Sequence, residues 1–166
     1  MKIRVSSVVN DSIVDGPGFR LTVFAQGCFH NCDLCHNPGT HNLNGGIETD
    51  TDKIVSLLSG NPLLDGITLS GGEPFLQAEE CSDLAKKTHQ LGLSVWTYTG
   101  YTYEELLSSN NPSFLRLLDA TDVLIDGKFD NNLRSLELRF KGSRNQRIID
   151  IKKTKQSGSI VELYKD

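Results

Sequence analysis

A repeated unit, in which a short apolar run is followed by a helical pattern, limits the folds that this chain can adopt. Four runs are predicted strands: Arg20–Ala25, 66–69, 93–98 and 122–125. Helical patterns separate or follow them: Thr51–Ser59, 75–91, 103–110 and 113–119. The centres of the last three strands, Ile67, Val95 and Val123, are each 28 residues apart. Units of this size need crossover connections, so the chain is predicted to be α/β with a parallel sheet.

Length and composition limit the class of protein. The 166 residues are predicted to form a single domain spanning 1–166, since domains commonly have about 100–200 residues. No run approaches the ~20 apolar residues of a membrane span, and the N-terminus has no signal-peptide pattern, which predicts a cytoplasmic protein with no membrane partner. A net charge of −4 argues against binding nucleic acid.

Unusual residues follow each predicted parallel strand. Ligands of parallel α/β folds bind at the carboxyl ends of the strands. The four segments 28–35, 71–73, 97–100 and 126–128 are therefore expected to converge on one face. Two C-terminal runs, 147–151 and 160–164, are further candidate strands.

Three of the four cysteines, Cys28, Cys32 and Cys35, fall within eight residues. In a reducing compartment this spacing indicates a metal or redox site, and soft thiolates select zinc or iron–sulfur. Cys81 lies on the apolar face of a predicted helix and is interpreted as a buried thiol. An iron–sulfur centre would then have one iron open to a ligand, because an ordinary cluster takes four cysteines. A Cys3His zinc site using His30 or His36 remains the alternative.

A second motif, Ser70-Gly71-Gly72-Glu73-Pro74, ends a predicted strand and begins a helix. Pro74 suits the first helical turn. A plain turn does not explain two adjacent glycines followed by a carboxylate. Paired glycines let a ligand touch the backbone, and Glu73 is a candidate to hold a ligand ammonium group.

Together these motifs resemble the radical S-adenosylmethionine superfamily. The sequence Asp15-Gly16-Pro17-Gly18-Phe19-Arg20 narrows the resemblance to the glycyl-radical-enzyme activases. Three later segments are similar to the subfamily that activates the anaerobic (class III) ribonucleoside-triphosphate reductase: residues 96–101, 126–129 and 142–147. The resemblance runs from about residue 13 to 151. It implies a partial (β/α) TIM-like barrel of about six parallel strands.

The resemblance also implies the cofactors and the reaction. Cys28, Cys32 and Cys35 would bind three irons of one [4Fe-4S] cluster, and S-adenosyl-L-methionine would chelate the fourth iron. Reductive cleavage would give a 5′-deoxyadenosyl radical, which would generate a glycyl radical on the partner reductase. The residues implied to contact the cofactor are Leu34, Cys35, His36, Gly71, Gly72, Glu73, Thr97, Tyr98 and Thr99. Leu34 stands where many members have an aromatic residue.

Several points stay open at the level of sequence. A flavodoxin is the expected electron donor, and a homodimer is one possible assembly. An activase of pyruvate formate-lyase type is the alternative within the superfamily, and 7-carboxy-7-deazaguanine synthase fits the later motifs less well. A non-catalytic zinc-binding module is the alternative outside it.

The charge is unevenly distributed along the chain. Residues 127–155 contain nine Lys and Arg against three Asp and Glu, a net of +6, which leaves −10 for the rest. An ordinary solvated basic face explains this equally well as docking to an acidic reductase surface or pairing with the cofactor carboxylate. Arg144 and Arg147 are the candidate functional members, and Asp126 and Lys128 are candidates for contacts to a cation or carboxylate.

Overall fold

The computed structural model describes residues 1–30, 32, 35 and 38–165. The strands in this part are β1 (Lys2–Ser12), β2 (Arg20–Ala25), β3 (Ile47–Asp50), β4 (Gly66–Gly71), β5 (Ser94–Tyr98), β6 (Val123–Asp126) and β7 (Arg147–Asp150). The α-helices are α1 (Thr51–Ser59), α2 (Ala78–Gln90), α3 (Tyr103–Ser108), α4 (Pro112–Asp119) and α5 (Ile151–Ser157). Short 3-10 turns lie at Pro38–Thr40, Pro74–Gln77 and Asn131–Leu133.

All seven strands belong to one sheet, in the order β3-β1-β2-β4-β5-β6-β7. Strands β2, β4, β5 and β6 are parallel, whereas β1, β3 and β7 pair antiparallel with their neighbours. The α/β class is confirmed. The expectation of about six parallel strands is wrong for the described residues, which provide four. The segment between β6 and β7 lacks the α-helical crossover that a parallel partner needs, so β7 returns antiparallel.

Helix α1 illustrates how local sequence sets where a helix begins and which face it buries. The Asp50 side chain accepts a hydrogen bond from the Asp52 backbone N–H and caps the helix start. Ile54 and Leu58 are buried one helical turn apart and face the sheet. In α2, the predicted inward face of Cys81, Leu84, Ala85 and Thr88 is buried, as expected.

The two faces of the sheet differ in character. Residues such as Leu21, Ile67 and Val95 lie in the large apolar core with the helices. Trp96, Val123, Ile125 and Ile148 form a second, smaller apolar group. Side chains alternate along a strand, so this smaller group lies on the face opposite the helices.

Two chain segments pack against that opposite face. One is residues 128–146, here called the covering segment, whose Phe140 ring lies 5.4 Å from that of Trp96. The other is the C-terminus, where Tyr164 lies 5.4 Å from Phe140. The candidate strand at 160–164 is not a strand: it forms one isolated bridge between Glu162 and Ile149. No helix in the described part of the chain is long and apolar enough to cross a membrane.

Candidate functional site

One cavity of about 370 Å³ opens at the carboxyl ends of the four parallel strands. Its lining includes residues from each of the four unusual sequence segments: Cys28, Cys32, Cys35, Gly71, Gly72, Tyr98, Thr99, Gly100 and Gly127. The expected convergence on one face is therefore confirmed. Of the other residues expected in this site, Leu34 and His36 lie outside the described residues.

The three thiols are partly buried in the wall of this cavity. The Cys28 N–H donates to the His41 carbonyl at 3.2 Å, and the Cys35 N–H donates to the Cys32 carbonyl at 3.3 Å. Burial raises the pKa of the Cys28 and Cys32 thiols. For Cys32 this rise in pKa is opposed by a hydrogen bond from the Phe129 backbone and by the charge of Lys128. Positive charge supplied by a bound metal centre would stabilise the thiolates further.

The donor set fits an iron–sulfur cluster. All four cysteines are free thiols, and three of them line the same cavity. Cys81 is fully buried in α2, within the helix-side core, and its pKa is raised strongly by burial. It is therefore not a fourth ligand, and three protein thiolates leave one iron of a cluster open. Among the described residues, no three or more His, Cys, Asp and Glu side chains are grouped to hold a single metal ion.

Glu73 does not point into the cavity. Its side chain is 1% exposed. One oxygen, Oε1, accepts hydrogen bonds from the Thr99 hydroxyl and the Gly100 N–H, both at 2.8 Å. The other, Oε2, accepts from the Phe75 N–H at 3.0 Å and caps the 3-10 turn. This carboxylate therefore ties β4 to β5, and its expected contact with a ligand ammonium group stays a prediction.

The two glycines of the motif have a packing role that sequence did not anticipate. Gly71 has a φ of +100°, and a Cβ there would lie 2.4 Å from the Ala25 backbone nitrogen. A Cβ on Gly72 would lie 2.3 Å from the Gly27 carbonyl oxygen. Both residues also line the cavity. Glycine is thus needed for close backbone contact in addition to any contact with a ligand.

Of the three residues expected to contact the cofactor at the end of β5, two line the cavity and one does not. Tyr98 and Thr99 line the cavity. Thr97 is fully buried on the other face, where its hydroxyl lies 2.9 Å from that of Thr121. Thr97 therefore lies off the cavity wall, within β5, whereas Thr99 lies just beyond the end of the strand.

His30 is the site residue that sequence reasoning undervalued. Its Nε2 lies 2.5 Å from Glu73 Oε1, and its ring lines the cavity. The position of His30 between two predicted metal ligands was the signal available in the sequence.

Asp126 and Arg147 are partners of each other. Arg147 Nε and Nη2 donate to the two Asp126 oxygens at 3.1 and 2.6 Å, and Nη2 also donates to Glu104 at 2.7 Å. Asp126 is 1% exposed and also accepts from the Tyr103 N–H at 2.8 Å. The hydrogen bond from Arg147 lowers the pKa of Glu104. Arg147 thus fastens β7 to β6 and α3, whereas Lys128 and Arg144 are exposed.

We expect Arg147→Leu to lower the free energy of unfolding by about 2 kcal/mol, because it leaves the buried Asp126 carboxylate without its cation. Urea denaturation of the metal-free protein measures the change. The matched variant Arg144→Leu removes an exposed arginine of the same motif and should stay within about 0.5 kcal/mol of the parent. Equal stability of the two variants would contradict the structural role of Arg147.

Gln146 fastens the covering segment beside the cavity. Its Oε1 accepts from the Gly142 and Ser143 N–H groups at 2.8 and 3.2 Å, and its Nε2 donates to the Gly127 carbonyl at 3.0 Å. The Tyr98 hydroxyl donates to the Phe140 carbonyl. The 142–147 motif therefore shapes the cavity wall.

The motif at residues 15–20 surrounds a buried arginine. Arg20 is 1% exposed and donates to the Thr68 hydroxyl at 2.8 Å, the Ile67 carbonyl at 2.9 Å and the Ser94 carbonyl at 3.1 Å. Its guanidinium lies 5.7 Å from the Trp96 ring centroid. Asp15, which lines the cavity, accepts from the Ser12 hydroxyl at 2.7 Å. The loop is therefore anchored to three strands.

Comparison with known proteins agrees with this geometry. An α/β domain that places three thiols in the wall of a cavity, in the loop after β2, has a donor set that fits an iron–sulfur cluster. The family model for the 4Fe-4S single cluster domain matches residues 14–149. The chain belongs to this family.

Two similar relatives are named anaerobic ribonucleoside-triphosphate reductase-activating proteins. The protein of Escherichia coli K12 is 36% identical over 143 residues, covering 81% of this chain and 90% of the relative. That of phage T4 is 35% identical over 141 residues, covering 81% and 86%. The pyruvate formate-lyase-activating enzyme of Clostridium pasteurianum is 40% identical over 133 residues, covering 75% of this chain and 55% of the relative.

A solved structure of similar fold is QueE from Escherichia coli, with a TM-score of 0.51 and 14% sequence identity. The match covers 61% of this chain and 54% of that one, so this chain spans about half of the solved structure. At this identity the likeness concerns the fold alone.

Proposed function

We propose that this protein is a radical S-adenosylmethionine enzyme that generates a glycyl radical on an anaerobic ribonucleoside-triphosphate reductase. The observation that carries the proposal is the single cavity lined by Cys28, Cys32 and Cys35, with Cys81 buried elsewhere. The family match and the names of the relatives supply the partner.

The chain and its cofactors have separate tasks. When bound, one [4Fe-4S] cluster and S-adenosyl-L-methionine supply the one-electron chemistry. Cys28, Cys32 and Cys35 would hold the cluster through three irons. The residues proposed to bind the organic cofactor are those along the cavity wall: Gly71, Gly72, Tyr98 and Thr99. Phe140 and the rest of the covering segment would limit the access of water.

The fold supports further parts of the proposal. The single sheet is consistent with one domain over residues 1–166. We propose that this sheet serves as the partial barrel of the superfamily, with its open side left for a protein substrate. A cytoplasmic location, a flavodoxin-type electron donor and a possible homodimer complete the proposal.

The surface around the cavity suits a protein partner. Large apolar side chains that are exposed occur in the loops that line it: Val14 at 70%, Phe29 at 65% and Leu136 at 90%. Arg134 and Arg144 of the covering segment are also exposed. Apolar anchors beside positive charge favour an acidic partner surface with apolar side chains of its own.

The test is anaerobic. The cluster is reconstituted and reduced with dithionite, and S-adenosyl-L-methionine is added with the reductase. The expected result is 5′-deoxyadenosine together with a glycyl doublet in the electron paramagnetic resonance spectrum, both absent in Cys32→Ala. Cofactor cleavage without the doublet would support the radical S-adenosylmethionine chemistry and reject the reductase as the partner. A colourless protein that holds zinc and does not cleave S-adenosyl-L-methionine would reject the proposal that the chain is an enzyme.

The Clostridium pasteurianum relative favours a second candidate partner, pyruvate formate-lyase. The same assay with that enzyme in place of the reductase separates the two. A doublet on pyruvate formate-lyase alone would assign this chain to the other activase group.

We expect Leu136→Asp to weaken activation of the reductase by raising the KM for the reductase about tenfold, the effect of losing an apolar anchor worth about 1.4 kcal/mol. Leu136 is so exposed that its loss should not change the unfolding temperature. The control is Leu63→Asp, which changes a 66% exposed leucine in the loop before β4, at the opposite edge of the parallel strands. Equal KM values for both variants would exclude Leu136 from the interface.

A further inference from the structure

We infer that His30 is a positioning residue that locks the thiol-bearing loop to the edge of the sheet through Glu73. The inference rests on the cluster-binding part of the proposed function and does not depend on the partner. It concerns how the chain orients its own ligands.

Glu73 provides a fixed point. Its carboxylate is already bonded to Thr99 and Gly100 at the end of β5 and to Phe75 in the 3-10 turn. His30 adds the contact from the thiol-bearing loop, with Nε2 at 2.5 Å from Oε1 and only 9% of the His30 side chain exposed. The hydrogen bond requires Nε2 to carry the proton, with the carboxylate as the acceptor.

His30 also touches the first thiol directly. Its backbone N–H donates a hydrogen bond to the Cys28 sulfur. The same residue therefore contacts Cys28 through its main chain and Glu73 through its ring. Two residues further on lies Cys32, so both thiols flank the anchored position.

The His30 ring packs closely against Tyr101 and Gly100. It meets the Tyr101 ring edge-on, with centroids 4.7 Å apart and planes at 79°. A Cβ on Gly100 would lie 2.5 Å from His30 Cδ2, so Gly100 leaves the space that the ring occupies. Groups that orient metal ligands in this way commonly change metal affinity by about 10–100-fold when removed. These contacts give His30 an orienting role in the proposal.

The test compares two replacements of His30. His30→Leu removes the donor to Glu73, whereas His30→Gln retains a side-chain N–H that reaches the same carboxylate. Iron release to a chelator is followed under anaerobic conditions after reconstitution. We expect release to be about tenfold faster in His30→Leu, the lower end of the effect for lost orienting groups, with most of the parent rate restored in His30→Gln.

A second variant perturbs the contact without removing the imidazole. Gly100→Ala should push the ring away from Glu73 and speed iron release as His30→Leu does. The control is His89→Leu, which removes another imidazole–carboxylate pair, His89 with Asp122 at 2.8 Å, from the surface. His89→Leu should release iron at the parent rate. Unfolding temperatures of the metal-free proteins show whether each variant folds.

Three outcomes would overturn the inference. The first is parent-like iron release in both His30→Leu and Gly100→Ala. The second is equally fast release in His30→Gln and His30→Leu with equally lowered unfolding temperatures, which indicates a merely structural side chain. The third is a parent protein that binds no iron. A parent that binds the cluster but forms no glycyl radical would reject the proposed partner and leave the role of His30 standing.

Discussion

Replacing any one of Cys28, Cys32 and Cys35 by alanine should abolish formation of the glycyl radical and leave the protein without a full cluster after reconstitution. The three thiols line one cavity, and each would hold one iron, so none can substitute for another. Iron and sulfide analysis, visible absorbance and electron paramagnetic resonance of the reduced protein measure the loss. A single variant that retains a full cluster would show that its thiol is not a ligand.

Cys81→Ala is the matched control for this series. Cys81 is fully buried among apolar residues of the helix-side core, away from the cavity. Removing its sulfur should cost about 1 kcal/mol of stability through a small void, and the cluster should assemble as in the parent. Loss of the cluster in Cys81→Ala with the fold retained would contradict the assignment of three ligands.

Arg20→Leu should lower the free energy of unfolding by about 3–5 kcal/mol, because it removes the donor to several buried oxygens at once. The hydroxyl of Thr68 and the carbonyls of Ile67 and Ser94 would each lose the hydrogen bond that the buried Arg20 donates. For a chain of this length the change corresponds to a fall in unfolding temperature of about 10 °C. Calorimetry or thermal circular dichroism of the metal-free protein measures it.

The comparison for Arg20 is Arg116→Leu. Arg116 is 49% exposed and lies 3.4 Å from Glu79, an ordinary surface ion pair. Its loss should cost no more than about 1 kcal/mol. If the two variants prove equally stable, the buried network around Arg20 does not hold the loop at residues 15–20.

Elements with a strong apolar pattern could be predicted from the sequence. Strand β2 and helix α1 have the predicted bounds, and α2 has the predicted buried face. Strand β1 was not predicted. Its sequence shows no sustained apolar run, and three of its eleven residues are buried. Its pairing with β2 and β3 comes from backbone hydrogen bonds, which are not visible in side-chain patterns.

Some properties of the candidate site could likewise be predicted from the sequence, and others could not. Chemical type and spacing identified the three thiols and the Gly71–Gly72 pair. Orientation was not predictable: Thr97 faces the core, Glu73 faces the protein, and Arg147 is occupied by Asp126. The side-chain direction of each depends on partners at least 20 residues away in the chain.

Residue types and their periodicity were therefore sufficient to predict the α/β class, the convergence of four segments on one edge, and the cluster of three thiols. These properties follow from periodicity and from the identity of the donor atoms, which are local. The number of parallel strands, the return of β7 and the contact between His30 and Glu73 follow only from the tertiary fold. Each of those depends on which distant groups become neighbours, because a hydrogen bond requires a partner within about 3 Å and sequence spacing does not specify that partner.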